Sequence, residues 1–291
     1  MMLPVNVNGL IAQIMLQLNQ YHTTAADFEA IQMLAPAARF ISVVGAGGKS
    51  HLIKWLAAVY QAQGFKVCVT TTTKTYLPEG NEFNAQICLA EPSPAQALVR
   101  QMARVNVAPG GVYFLYKQRL AMPANQPPKV QGFSVTELSQ LAELGLFDVY
   151  LVEADGAKHL PLKAPAGHEP CICEQSDLLI GVTGAEAIFS PAAPQQIHRW
   201  PLFSKISGCV EGAEVDEAAL SKLLVDPQGL FKNSPKQANK LWLVNKMDRC
   251  SDPLRLRLFA QQVLSQTALL NAVWLSQLDL PSPTVERYFA S

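Results

Sequence analysis

Short apolar runs alternate along this chain with stretches whose apolar residues recur every three to four positions. That rhythm predicts strands alternating with helices. Strand-like runs fall at 40–44 (FISVV), 65–70 (FKVCVT), 87–89, 112–116, 148–153 (DVYLVE), 178–182, 241–244 and 272–275. Helical spacing follows the first run at Leu52, Ile53, Leu56, Ala57, Val59 and Tyr60, and Gly64 ends it. Ser93-Pro94 reads as a cap and first helical residue opening a helix to about Arg104, and Ser134 with Glu137 forms a capping box before Leu138, Leu141 and Leu144. Further helices are expected over 215–224 and from Asp252-Pro253 onward. The proline-rich 121–132 and the polar 161–173 read as loops, and 185–214 as irregular. Ahead of all this, Leu10, Ile11, Ile14, Met15 and Leu18 share one helical face. Thr24 and Asp27 can cap a second helix carrying Phe28, Ile31 and Leu34. The expectation is a small helical segment, 1–38, packed on one α/β domain, 39–291, with a mostly parallel sheet flanked by helices.

Composition agrees with a well-covered sheet: of 291 residues, 49% are apolar and only 16% charged. Net charge is zero, with no basic tail and no charge block, which argues against nucleic acid or acidic lipid as partner. No apolar run reaches the roughly 18 residues of a membrane span. No Lys or Arg precedes Arg39, so the basic start of a signal peptide is missing and a cytoplasmic protein is expected. Six scattered cysteines then read as reduced thiols.

The chemistry gathers where strands end. Residues 40–50, FISVVGAGGKS, are a strand, a glycine-rich turn and the start of a helix. Backbone N–H groups of Gly45, Ala46, Gly47 and Gly48 and the helix N-terminus can face an anion. Lys49 brings a mobile positive charge, and Ser50 a hydroxyl suited to Mg²⁺. The loop departs from GxxxxGK[ST] in having Val43 where the first glycine belongs. The second strand runs into four threonines and a lysine. Thr72, Thr73 and Lys74 sit where the end of a parallel strand meets ligand and could sense a γ-phosphate. The 148–153 strand delivers Glu153 and Asp155, two residues apart and so on one face. Either can complete an Mg²⁺ shell or orient a water. The 241–244 strand runs straight into Asn245-Lys246-Met247-Asp248. In such an NKxD loop the aspartate accepts from guanine N1–H and the 2-amino group, the lysine stem packs on the base, and the asparagine braces the loop. His168, Cys171 and Cys173 lie within six residues, but at no standard zinc spacing, and read as part of a structural loop.

VVGAGGKS, KVCVTTTTKTY, VYLVEADGAKHLPLKAP, HEP, DLLIGVTG and the late NKMD, in that order, resemble the YqeC family, described as accessory proteins of selenium-dependent molybdenum hydroxylases. The resemblance runs from about Phe40 to the C-terminus. It implies a P-loop nucleotide-binding fold and a role in preparing or inserting a molybdenum cofactor for a client enzyme. The leading expectation is a GTP-binding, slowly hydrolysing accessory protein using Mg²⁺. An ATP-dependent kinase or ligase acting on a cofactor precursor, with Lys163, His168 and Arg199 as substrate contacts, is the alternative. A nucleotide-sensing chaperone without hydrolysis is a third.

Overall fold

The computed structural model describes residues 21–78, 82–90, 93–102, 108–123 and 125–290. The first expected helix, with Leu10 to Leu18, lies outside them. In chain order the elements are α1 (Ala25–Leu34), β1 (Phe40–Gly45), α2 (Lys49–Ala62), β2 (Val67–Thr71), β3 (Lys74–Tyr76), β4 (Ala85–Cys88), α3 (Pro94–Met102), β5 (Val112–Tyr116), β6 (Gln118–Arg119), β7 (Lys129–Gln131), α4 (Val135–Glu143) and β8 (Val149–Glu153). They continue with β9 (Leu162–Lys163), β10 (Leu178–Gly184), β11 (Ile197–His198), α5 (Trp200–Ser207), α6 (Glu217–Val225), β12 (Asn239–Asn245), α7 (Pro253–Gln266), β13 (Ala272–Gln277) and β14 (Thr284–Phe289).

Nine strands form one sheet in the order β14-β13-β12-β10-β1-β8-β2-β5-β4, and every neighbouring pair is parallel except β13–β14. The molecule is thus an α/β protein with a mostly parallel sheet flanked by helices. β1 lies inside the sheet, between β8 and β10, and is buried along its whole length. Its side chains alternate between the faces. Ile41 and Val43 join the apolar cluster under α1 and α2, whereas Val44 joins the cluster on the opposite face with Phe203, Leu220 and Phe259. A third cluster under α3 and α4 takes Phe40, Cys68 and Phe147. With all strand C-termini but that of β14 at one end, the loops after β1, β2, β8, β10, β12 and β13 share that end.

Both capping boxes form: Thr24 with Asp27 at α1, and Ser134 with Glu137 at α4. α1 docks on α2, with the ring of Phe28 meeting Tyr60 edge-on at 5.6 Å.

Three expectations need correction. The 185–214 stretch is not irregular: it contains β11 and α5, and α5 is too short for its period to stand out. The 121–132 stretch contains β7, which pairs with β3 and β6 in a small antiparallel sheet. The 161–173 loop contains β9, which pairs in parallel with β11. All six cysteines are free. Among the described residues no helix is long and apolar enough to cross a membrane.

Candidate functional site

The turn after β1 is tight because three backbones meet there. Gly47 has φ +86, and a Cβ on it would lie 2.2 Å from the nitrogen of Gly184 at the end of β10. Gly48 has φ +136, and a Cβ there would lie 2.1 Å from Asn245 Nδ2. Only glycine fits either position. Three N–H groups of this turn are already committed. Gly45 donates to Asp155 Oδ2 at 3.0 Å, Ala46 to the Val182 carbonyl at 2.9 Å, and Gly47 to the Leu160 carbonyl at 3.1 Å. The donors left for an anion are Gly48 and those of the first turn of α2, at Lys49, Ser50 and His51. Leu52 is the first residue to bond back, to Gly48 at 3.0 Å. Ser50 is exposed in that turn.

Lys49 and the two carboxylates of β8 converge. The Lys49 ammonium donates to the Gly45 carbonyl at 2.8 Å and lies 2.8 Å from Asp155 Oδ1 and 3.5 Å from Glu153 Oε1. Asp155 and Lys49 are 2% and 5% exposed, so these are buried charges. The alternation does not stop there. Asp155 Oδ2 pairs with the Lys163 ammonium at 2.8 Å, Lys163 pairs with Glu169, and Glu169 takes a two-pronged contact from Arg199 at 2.7 and 2.6 Å. The result is a ladder of alternating sign: Glu153, Lys49, Asp155, Lys163, Glu169, Arg199. Burial pulls the Lys49 pKa down, but Asp155 and Glu153 outweigh it and leave it above the ordinary lysine value. Burial pushes Asp155 up, and Lys49 and Lys163 bring it below the ordinary carboxylate value. Glu169 is likewise raised by burial and lowered further by Arg199 and Lys163.

The threonines mostly brace the ladder. Thr71 Oγ donates to the Glu153 carbonyl at 2.8 Å, and Thr75 Oγ to Glu153 Oε2 at 3.2 Å. Thr72 is buried and donates to the Cys171 carbonyl at 2.7 Å. Thr73 receives its contact from within its own turn, 3.2 Å from Thr71 Oγ, and Lys74 is exposed at the start of β3.

On the other side of β1, Asn245 is 1% exposed and joins three segments. Its Nδ2 donates to the Gly47 carbonyl at 3.2 Å. Its Oδ1 accepts from the backbone N–H of Leu278 at 3.1 Å and lies 3.4 Å from Ser276 Oγ. Lys246 takes a left-handed backbone, φ +64, and its ammonium pairs with Glu186. Asp248 is exposed, its carboxylate 3.7 Å from its neighbour Arg249. The structure therefore brings Gly45 to Ser50, Glu153 and Asp155 into one cluster and ties the NKMD loop to it through Asn245. Thr72 faces the Cys171 carbonyl, and Thr73 the Thr71 hydroxyl, rather than the centre of that cluster.

The exposed Ser50 hydroxyl, the Glu153 carboxylate and Asp155 Oδ1 are oxygens of the kind a hard cation such as Mg²⁺ takes. Asp155 Oδ1 is buried and close to Lys49, yet off any hydrogen-bond direction, so that contact is an ion pair with a lone pair to spare. Cys173 is buried in the third apolar cluster and Cys171 Sγ points to the His168 carbonyl. Among the described residues no group of three or more His, Cys, Asp or Glu is arranged to hold a metal ion.

Glu169, Glu186 and Thr75 escaped the sequence reading. Glu169 had one signal, a carboxylate between His168 and Pro170 in a loop rich in Lys and Pro. Glu186 had none.

Comparison with known proteins agrees with this ordering of segments. The family model described as YqeC protein matches residues 41–201, which span the glycine turn, the threonines, the β8 carboxylates and Arg199. The chain is similar to "Uncharacterized protein YqeC" of Escherichia coli (strain K12), 33% identical over 253 residues, covering 86% of this chain and 91% of that protein. With more than half its length matched by the model, and a relative of that identity covered almost end to end, the chain belongs to the YqeC family.

Proposed function

We propose that this chain binds a purine nucleoside triphosphate with Mg²⁺, GTP in preference to ATP, as an accessory protein in maturing a selenium-dependent molybdenum hydroxylase. One observation carries the nucleotide reading. The glycine turn and the NKMD loop are braced to each other by the Asn245–Gly47 hydrogen bond at 3.2 Å. A phosphate-binding turn and a base-reading loop held at fixed separation support recognition of one whole nucleotide. The client role rests on the description of the family.

The phosphates would meet the N–H groups at the start of α2. Lys49 would leave Asp155 and the Gly45 carbonyl for the β- and γ-phosphate oxygens. Ser50, Asp155 and Glu153 would hold the Mg²⁺, which supplies charge neutralisation between β- and γ-phosphates. Glu153, fixed by Thr75 and partly exposed, is the group for orienting a water. Asp248 would take the two guanine donors, which adenine lacks. Turnover is expected to be slow, because Lys49 exchanges partners at each cycle.

Calorimetric titration of GTP, ATP and XTP, each with Mg²⁺, into wild type and Asp248→Asn tests this. Hydrogen bonds to a charged group are worth about 1.5–3 kcal/mol each. The variant is therefore expected to lose about a hundredfold in GTP affinity and to shift preference toward XTP. Tight ATP binding unchanged by the substitution would sink the guanine reading and favour an ATP-dependent kinase or ligase.

A further inference from the structure

Beyond the nucleotide site, Lys158, His198 and Arg199 share one positive field at the far end of the charge ladder. Lys158 and His159 follow Asp155 closely and are consecutive non-glycine residues in the left-handed region, with φ +51 and +60. Arg199 is a third, with φ +61. That conformation is unfavourable for L-residues, and it persists where surrounding structure enforces it, often at ligand clamps. Here it is enforced. Leu160 bonds back to the Ala157 carbonyl at 3.0 Å and its own carbonyl accepts from Gly47. Arg199 is held by both oxygens of Glu169, and its carbonyl accepts from Leu202 and Phe203 as α5 begins.

The ribbon of β9 and β11 places Lys163 opposite His198, so both side chains lie on one face. Lys163 is buried and taken by Asp155 and Glu169. His198 is half-buried and has no hydrogen-bond or ion-pair partner among the described residues. Lys158 is exposed and has no ion-pair partner among them either. Lys163 and Arg199 are matched by the two carboxylates, so Lys158 is the odd positive charge. His198 registers the same imbalance. Burial, then Arg199, Lys163 and Lys158, outweigh Glu169 and push the imidazole down to about 4, leaving it a neutral acceptor or donor in a positive field. The loop behind is fixed from several directions. Lys232 donates to the Ala166 carbonyl at 2.9 Å, Asn233 to the Pro170 carbonyl at 3.1 Å, and Thr72 to the Cys171 carbonyl. A rigid, partly buried, positive cluster with free donors suits a small anion, because little ordering is left to do on binding.

We propose that Lys158, His198 and Arg199 bind the anionic group, phosphate or carboxylate, of a second small molecule beside the nucleotide. The Gly47–Leu160 hydrogen bond gears the Lys158 turn to the glycine turn.

The test uses the full chain labelled for nuclear magnetic resonance at neutral pH, titrated with inorganic phosphate and, separately, with acetate. The His198 imidazole reports the cluster and the Gly48 amide reports the phosphate turn. Lys158→Gly removes the charge while suiting the left-handed backbone, so the fold is kept. A saturable shift at His198 is expected, at least fivefold weaker in Lys158→Gly, with the Gly48 response unchanged. Response to phosphate alone names a phosphorylated molecule; response to acetate names a carboxylate. Response at Gly48 alone, or a His198 response indifferent to Lys158→Gly, overturns the inference and leaves the nucleotide reading standing. Response at His198 alone supports it and counts against the phosphate turn. Response at neither defeats both.

Discussion

The two sides of β1 are built on opposite terms. On the β8 side Lys49, Asp155, Lys163 and Glu169 are buried and answered: Lys49 by Asp155 and the partly exposed Glu153, Asp155 by Lys163, Lys163 by Glu169. On the β12 side Asn245 is buried and answered, whereas Asp248 is exposed with one cation at 3.7 Å. A buried ion pair is held together because breaking it strands a charge away from water. An exposed carboxylate can change partners at little cost. The first side stores its specificity in the fold, whereas the second is free to spend its groups on a ligand.

The sharpest way to break the comparison is to remove one carboxylate from each side. Asp155→Ala leaves two buried ammonium groups without their shared partner and is expected to cost about 3–5 kcal/mol in urea unfolding. Asp248→Asn is expected to stay within about 0.5 kcal/mol of wild type in the same assay. Comparable losses in the two would dissolve the contrast.

A smaller effect tests the seam between the sides. Gly48→Ala would push into Asn245 and strain a backbone at φ +136, whereas Gly64→Ala meets open space at φ +81. The first is expected to cost about 3 kcal/mol and the second about 1 kcal/mol, read as shifts in melting temperature. Equal shifts would mean that Asn245 yields and the seam is soft.

The smallest effect is a pH dependence at the end of the ladder. His198 is held at about 4 in the folded chain, against an ordinary value of 6.5. Between those values the unfolded chain binds a proton that the folded chain refuses. Its contribution is therefore complete above pH 6.5 and is lost as the pH falls toward 4. After allowance for solvent screening the loss is about 1 kcal/mol. His198→Gln is expected to flatten that limb of the stability profile, and an unchanged slope would remove His198 from the argument.

What could be read from the sequence was what is local. The strand, glycine turn and helix of 40–62 are contiguous, and both capping boxes need only four residues. What could not be read was closed over distance. Glu169 meets Arg199 thirty residues on and Asp155 through Lys163, and nothing in a single carboxylate announces such partners. β14 was hidden because TVERYF carries Glu286 and Arg287 in mid-strand. Those charges are tolerated on an edge strand, where Arg257 and Asp27 reach them. α5 was hidden because eight residues give barely two turns, and the left-handed Arg199 that precedes it is not a residue type that signals a helix start. The glycines were visible as a phosphate turn, but not their packing against Gly184 and Asn245, which needs strands remote in the chain.

The alternating ladder also constrains how this family can change. Reversing or deleting one rung leaves its neighbours on both sides mismatched, so a lone substitution at Asp155, Lys163 or Glu169 passes through a crippled intermediate. Change there has to come in matched pairs, or begin at Arg199, where solvent softens the mismatch. Among relatives, drift should therefore enter at the Arg199 end and travel inward, with Lys49 and Asp155 the last to move.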